Sequence, residues 1–92
     1  MVKRAKQWRE LPTVVKVYRG YSATIGNEEG LSWSLSPAVA KRFTARHGAA
    51  GRVAVGYVKR QDVLFYTNSR REKEIIALPS AVTRDFKEVI SH

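Results

Sequence analysis

The sequence contains no cysteine, and this absence excludes several kinds of scaffold and site. Without thiols the chain can form neither a disulfide framework nor a thiolate metal site. The two histidines, His47 and the terminal His92, cannot complete a zinc site by themselves. We therefore expect a protein that works without a metal ion.

Long apolar runs are also missing. No segment approaches the roughly 20 apolar residues of a membrane-spanning helix. Residues 1–10 lack the apolar core of a signal peptide. We expect a cytoplasmic protein with no membrane partner.

Acidic residues are scarce, with 8 Asp and Glu against 17 Lys and Arg, which gives a formal net charge of +9. Such a field attracts polyanions, including nucleic acids, anionic cofactors and acidic protein surfaces, but it does not choose among them. The basic residues are dispersed, and the nearest approach to a cluster is Lys3, Arg4, Lys6 and Arg9. We interpret residues 1–12 as a basic N-terminal arm and residues 13–92 as one small domain.

Two extended segments present polar side chains at informative positions. Residues 13–18 are β-branched and aromatic and predict a strand closed by Arg19 and Gly20. Alternation places Arg19 on the face of Val15 and Val17, where its guanidinium suits phosphate or carboxylate, although a surface arginine at a strand end fits equally well. In residues 30–35, Ser32 and Ser34 share one face and the apolar residues the other.

A helix is predicted to follow, with Ser36 as its N-cap and Pro37 at its first position. Its inward stripe should contain Val39, Ala40, Phe43 and His47, and Gly48 should end it. We interpret His47 as a packing or C-terminal residue rather than a catalytic base. Further strands are predicted over residues 52–58 and 63–66, whereas residues 81–90 fit either an edge strand or a short helix.

Two carboxylates lie one residue apart at the start of an apolar segment. If that segment is a strand, Glu72 and Glu74 project from the same face, together with Ile76 and Leu78. Taken alone, this pattern is typical of a solvated strand end.

The order of these motifs resembles the ADP-ribosyltransferase fold of the Arg-Ser-Glu class. Arg19 ends the first strand, Ser32-Trp33-Ser34 leads into a helix, and Glu72-Lys73-Glu74 heads a late strand. The likeness spans roughly residues 14–79 and is greatest to compact bacterial and phage-type members. It implies an α+β fold: one small domain, mainly an antiparallel β-sheet with a split-sheet ADP-ribosyltransferase-like core, and one or two short helices.

The resemblance also implies a division of roles toward NAD, which is the substrate of this family. Arg19 is expected to bind the pyrophosphate, with Gly20 and Tyr21 beside it in the cofactor site. Ser32 is expected to hydrogen-bond near the catalytic carboxylate or the ribose. Ser34 should steady the strand.

Two catalytic carboxylates are implied in the same way. Glu74 is expected to stabilise the oxocarbenium-like charge on the ribose and to hold its 2′-hydroxyl. Glu72 is expected to orient or deprotonate the acceptor, as in members that modify arginine.

The sequence departs from the family pattern in two places. The serine motif has Trp33 where threonine is usual, and its side chain should face away from both serines and pack. The segment between Arg19 and Ser32 is short, which leaves the nicotinamide pocket poorly specified. Tyr21, Trp33, Phe65 and Tyr66 are the available aromatic stackers, and for each we favour core packing.

Two functions from different classes follow. The first is a mono-ADP-ribosyltransferase that transfers ADP-ribose from NAD to a protein acceptor and, if encoded by a phage, acts on a host or anti-phage defence factor in the host cytoplasm. The second is a non-catalytic basic protein on a reduced version of the same scaffold. Such a protein would block a nucleic-acid-binding site or a CRISPR-type defence complex, as anti-CRISPR proteins do, and its basic surface could contact nucleic acid itself.

Overall fold

The structure of the chain, a computed structural model, describes residues 8–26, 30–68, 73–86 and 90–91. These residues form an antiparallel sheet that curls into a half-barrel, with one α-helix against it. The elements in chain order are β1 (Val14–Ser22), β2 (Ser32–Ser34), α1 (Pro37–Thr44), β3 (Gly51–Lys59), β4 (Phe65–Thr67), β5 (Glu74–Ile76), β6 (Val82–Arg84) and β7 (Ile90–Ser91). The prediction of one small, mainly antiparallel domain is confirmed.

The strands lie in the order β4-β5-β2-β1-β3-β6, and β7 also pairs with β3. β1 and β3 pair along their whole lengths, from Val14 opposite Lys59 to Ser22 opposite Gly51. In contrast, β1 and β2 pair at only one position among the described residues, Tyr18 opposite Ser34. The sheet is therefore nearly divided at this point, and each side is held by its own ladder.

The first strand is longer than predicted. β1 continues through Gly20 to Ser22 because β3 pairs with it over that whole length. Gly20 marks a close helix approach rather than a strand end, since a Cβ there would lie 2.3 Å from the backbone oxygen of Ala40 in α1.

Helix α1 begins as predicted and ends earlier. The Ser36 Oγ accepts a hydrogen bond from the Val39 N–H at 3.3 Å, and Pro37 is the first helical residue. The helix ends at Thr44, and a 3₁₀ segment, Ala45–Ala50, follows. Phe43 was expected to face inward but is 46% exposed, whereas Thr44 is fully buried. Thr44 is buried because it packs against Gly20 and Gly51, where no side chain keeps the backbones apart.

The largest core cluster lies on the face of the sheet that carries Val15 and Val17, and α1 covers part of the other face. The buried residues of this cluster include Val15, Val17, Trp33, Ala54, Val58, Ile75 and Ala77. Trp8 and Leu11 of the expected arm contact this core: Leu11 is 4% exposed, and the Trp8 indole N–H donates to the Val63 carbonyl at 3.2 Å. Lys3, Arg4 and Lys6 lie outside the described residues.

The open interpretation of residues 81–90 is resolved in favour of strands where the chain is described. A single 3₁₀ turn, Pro79–Ala81, leads into β6, which pairs with β3. Over the described ranges, no helix is both long and apolar enough to cross a membrane.

Candidate active site

Ser32 and Glu74 are in direct contact. β2 and β5 are neighbouring strands in which Ser34 lies opposite Glu74 and Ser32 lies opposite Ile76. Ser32 and Glu74 are therefore diagonal neighbours on one face of the sheet. The Ser32 Oγ–H donates to Glu74 Oε2 at 2.6 Å, a distance typical of a charge-assisted hydrogen bond to a carboxylate.

The residue before Glu74 has an unusual backbone conformation. Lys73 has φ of 48°, in the left-handed region, which costs a non-glycine residue about 1–2 kcal/mol. Its carbonyl accepts a hydrogen bond from the Leu35 N–H at 3.1 Å, which anchors the bend to the residue after β2. The bend fixes Glu74 as the first residue of β5. Glu72 lies outside the described residues.

Arg19, on β1, is hydrogen-bonded to β2, the strand that carries Ser32. Its Nη1 donates to the Ser32 carbonyl at 2.9 Å. The guanidinium also lies close to Gly30, where a Cβ would be 2.5 Å from Arg19 Cζ. Partial burial lowers the pKa of the Arg19 guanidinium below its usual value.

The near-division of the sheet explains how these three residues meet. The Tyr18–Ser34 pair places Ser34 and Glu74 on the face of Tyr18, whereas alternation directs Arg19 to the opposite face. A continued ladder would bring Ser32 opposite Gly20, but the described pairing stops at Tyr18 and Ser34. Arg19 reaches the Ser32 carbonyl at the point where the pairing between β1 and β2 stops. Ser32 is thus the common neighbour of Arg19 and Glu74.

Ser34, by contrast, is buried at 5% exposure. Its Oγ accepts a hydrogen bond from the Ser36 N–H at 3.1 Å, which ties the end of β2 to the N-cap of α1.

The other residues expected in the cofactor site have packing contacts. Gly20 lies against α1, as described above, and Tyr21 is half-buried against the core. Trp33 is 3% exposed, so its predicted packing role is confirmed. Its indole N–H also donates to the Gly30 carbonyl at 2.9 Å and so helps to hold Gly30 beside Arg19.

Among the remaining aromatic candidates, Phe65 is 39% exposed and lies opposite Ile76, on the face of Ser32. Tyr66 lies on the other face and packs against the core.

Sequence reasoning overlooked Gly30 and Lys73 as positioning residues. The only signal for Gly30 was its place three residues before a tryptophan whose N–H needs an acceptor. Nothing in the residue type of Lys73 indicates a positive φ, because lysine rarely adopts one.

Chemically, the arrangement combines a carboxylate oriented by a hydroxyl with a guanidinium on the other side of that serine. Such a pair can stabilise a developing positive charge with the carboxylate and bind an anion with the cation. No group of three or more His, Cys, Asp or Glu suited to a metal ion occurs among the described residues.

Comparison with known proteins gives no match: no family model, no curated protein and no solved structure resembles the chain significantly.

Proposed function

We propose that the protein is a mono-ADP-ribosyltransferase that transfers ADP-ribose from NAD to a protein acceptor, on a split-sheet core of the ADP-ribosyltransferase type. The observation that carries the proposal is the 2.6 Å hydrogen bond from Ser32 to Glu74, with Arg19 bound to the same serine. These residues are far apart in sequence and belong to the three motifs of the resemblance. The single pairing position between β1 and β2 is consistent with a split sheet.

Glu74 stabilises the sugar cation in this proposal. The bond between ribose C1′ and the nicotinamide nitrogen breaks, and its electron pair leaves with nicotinamide. Positive charge builds on the ribose, where a fixed carboxylate provides preorganised stabilisation. A nucleophile of the acceptor then bonds to C1′ and releases its proton. Ser32 is a positioning residue that holds the Glu74 carboxylate through Oε2.

Arg19 binds the pyrophosphate. A guanidinium has five N–H donors in a planar fork, so the contact of Nη1 with the Ser32 carbonyl is compatible with further contacts to phosphate. Gly30 limits the movement of this guanidinium. Glu72 is proposed to act on the acceptor, which is a host or anti-phage defence factor if the protein is phage-encoded.

The second candidate is the basic binding protein, and the exposed cations favour it. Lys41 and Arg42 on α1 and Lys59 at the end of β3 are exposed, and the first turn of α1 carries no acidic residue. In this case the protein blocks a nucleic-acid site or a CRISPR-type defence complex without using NAD. Its affinity for the partner should then fall steeply with salt.

Incubation with NAD labelled in the adenylate moiety and a bacterial lysate separates the two functions. The transferase is expected to label a protein in the lysate, and Glu74→Gln should abolish the label while leaving the melting temperature near that of the wild type. Persistence of the label in Glu74→Gln would assign the transfer to another group. Absence of label with the wild type, together with salt-sensitive partner binding that Glu74→Gln leaves intact, would favour the binding protein.

A further inference from the structure

Helix α1 covers one half of the sheet face that carries Glu74. Tyr18, Ser34 and Glu74 lie in one row across β1, β2 and β5, so they share this face. Gly20 lies two residues after Tyr18 on the same face, and a Cβ there would lie 2.3 Å from the Ala40 carbonyl oxygen of α1. Ser34 is buried, and α1 begins shortly after it in the chain. Helix α1 therefore stands beside Glu74 on the side of β1.

The other half of this face, over β5 and β4, carries exposed apolar side chains. Ile76 lies two residues after Glu74 on β5, and Phe65 lies opposite Ile76 on β4. Leu78 continues the alternation, because its backbone is extended, with φ of −65° and ψ of 140°. Phe65 is 39% exposed, Leu78 is 52% exposed, and Ile76 is half-buried. We call these three residues the apolar ledge.

The apolar ledge adjoins the pair of Ser32 and Glu74. Ile76 lies opposite Ser32, the residue that donates to Glu74, and Phe65 is the next residue outward in that row. Neighbouring strands are about 4.8 Å apart, so ideal sheet geometry puts the Cα atoms of Phe65 and Ser32 roughly 10 Å apart. Side chains on one face of a sheet stand roughly perpendicular to it. A molecule that contacts the ledge is therefore next to a sugar held at Glu74.

The position of α1 limits how a protein acceptor approaches Glu74. Transfer to a protein requires that its nucleophile reach ribose C1′ beside Glu74 while the body of that protein rests on the surrounding surface. On the side of β1 this surface is occupied by α1, whereas on the side of β4 it is the ledge. Exposed apolar residues grouped next to a site are typical of surfaces that bind another protein.

The chemistry of the ledge distinguishes among macromolecular partners. Its three side chains carry neither charge nor hydrogen-bond donors, so they suit an apolar side chain better than a phosphate backbone. A second copy of the chain would bring a formal net charge of +9 against another +9, and this repulsion opposes association. A different protein, neutral or acidic, with an exposed apolar side chain near its modified residue fits the ledge.

We propose that the apolar ledge is the docking surface for the protein acceptor, an assignment that rests on the proposed transferase function. An apolar side chain of the acceptor packs on Phe65 and Leu78, and the residue to be modified lies beside it, over Glu74. The ledge selects the acceptor and takes no part in the cleavage of NAD. Phe65 and Leu78 thereby become specificity residues that the three family-like motifs do not include.

Two activities of the same proteins test the assignment: nicotinamide release from NAD in buffer, where water is the acceptor, and transfer of the adenylate label to proteins of a bacterial lysate. Phe65→Ser and Leu78→Ser should each lower protein labelling at least about fivefold and leave KM and kcat for nicotinamide release unchanged. Phe86→Ser, at a phenylalanine just after β6 that is 73% exposed, is the matched control and should change neither activity. Leu78 follows the end of β5, so its variant tests the ledge even if Phe65→Ser lowers the melting temperature.

The outcomes separate the ledge from the reaction itself. Loss of protein labelling at unchanged nicotinamide release supports the docking surface. Wild-type labelling by both ledge variants overturns it while the transferase stands, and a raised KM for NAD in buffer overturns it because the ledge would then hold NAD. Labelling of no protein by the wild type, or a label that nuclease removes, also overturns it. No release of nicotinamide by the wild type overturns the transferase and the docking surface together.

Discussion

A methyl group added at Gly20 should destabilise the fold. An alanine Cβ at this position would lie 2.3 Å from the backbone oxygen of Ala40, so α1 must move away from β1 by roughly 1 Å to restore an ordinary contact. Overpacking of this kind costs about 1–3 kcal/mol. In a domain of this size, each kcal/mol lowers the melting temperature by about 4–8 °C, so Gly20→Ala should melt roughly 4–24 °C below the wild type.

The same methyl group at Gly30 should affect the site instead. Its Cβ would lie 2.5 Å from Arg19 Cζ, but this neighbour is the end of a flexible side chain and can move. The movement breaks the 2.9 Å hydrogen bond from Arg19 to the Ser32 carbonyl, at a cost in stability of about 0.5–1.5 kcal/mol. A displacement of about 1 Å in a positioning group can lower activity about 100-fold. Gly30→Ala should therefore raise the KM for NAD or lower kcat/KM, and it should melt about 2–12 °C below the wild type.

Thermal denaturation and nicotinamide release, measured on both variants, check this contrast. Gly26→Ala is a useful reference, because a Cβ at Gly26 meets no atom within 4 Å and its φ of +74° introduces backbone strain alone. A wild-type melting temperature for Gly20→Ala would refute the close approach of α1 to β1. Wild-type kinetics for Gly30→Ala would refute the role of Gly30 in placing Arg19.

Three further predictions concern single side chains. Ser32→Ala should lower kcat/KM for NAD about tenfold or more with a near-normal melting temperature, because it removes the hydrogen bond to Glu74. Ser34→Ala should mainly lower stability, by about 1–3 kcal/mol, because Ser34 is buried and accepts a backbone hydrogen bond. Leu11→Ala should cost about 2–5 kcal/mol in chemical denaturation, and a cost below 1 kcal/mol would contradict its place in the core. Burial, with a smaller contribution from Glu10, raises the pKa of Tyr66 from 10.0. The folded state therefore favours the neutral phenol, and this contribution to stability is lost as the pH rises above about 10. Tyr66→Phe lacks the phenol, so its melting temperature should fall less than that of the wild type between about pH 9 and 11.

Local patterns in the sequence were sufficient to locate β1 to β5 and the start of the helix, but they left residues 81–90 open between a strand and a helix. Ser36 and Pro37 specify the beginning of α1 through backbone chemistry that depends on few distant contacts. The end of β1 and the inward side of α1 were not predictable in this way. Both depend on the packing of α1 against Gly20 and Gly51, a contact between segments distant in sequence.

The candidate site was predictable only as a set of residue types in order. Strand alternation correctly predicted that Ser32 and Trp33 lie on opposite faces of the sheet. It did not predict that Arg19 and Glu74, from different strands, would both contact Ser32. That convergence depends on the strand order and on the single pairing between β1 and β2.

Release of nicotinamide from NAD by purified Glu74→Gln tests the central claim most directly. The substitution keeps the shape of the side chain and removes the charge that is proposed to stabilise the ribose cation. Glu10→Gln, which changes an exposed carboxylate elsewhere, is the matched control. We predict that the wild type and Glu10→Gln release nicotinamide at similar rates and that Glu74→Gln, with an unchanged melting temperature, is slower by about 100-fold or more. Equal rates in all three proteins, or no release by the wild type, would contradict the assignment of Glu74 as the catalytic residue.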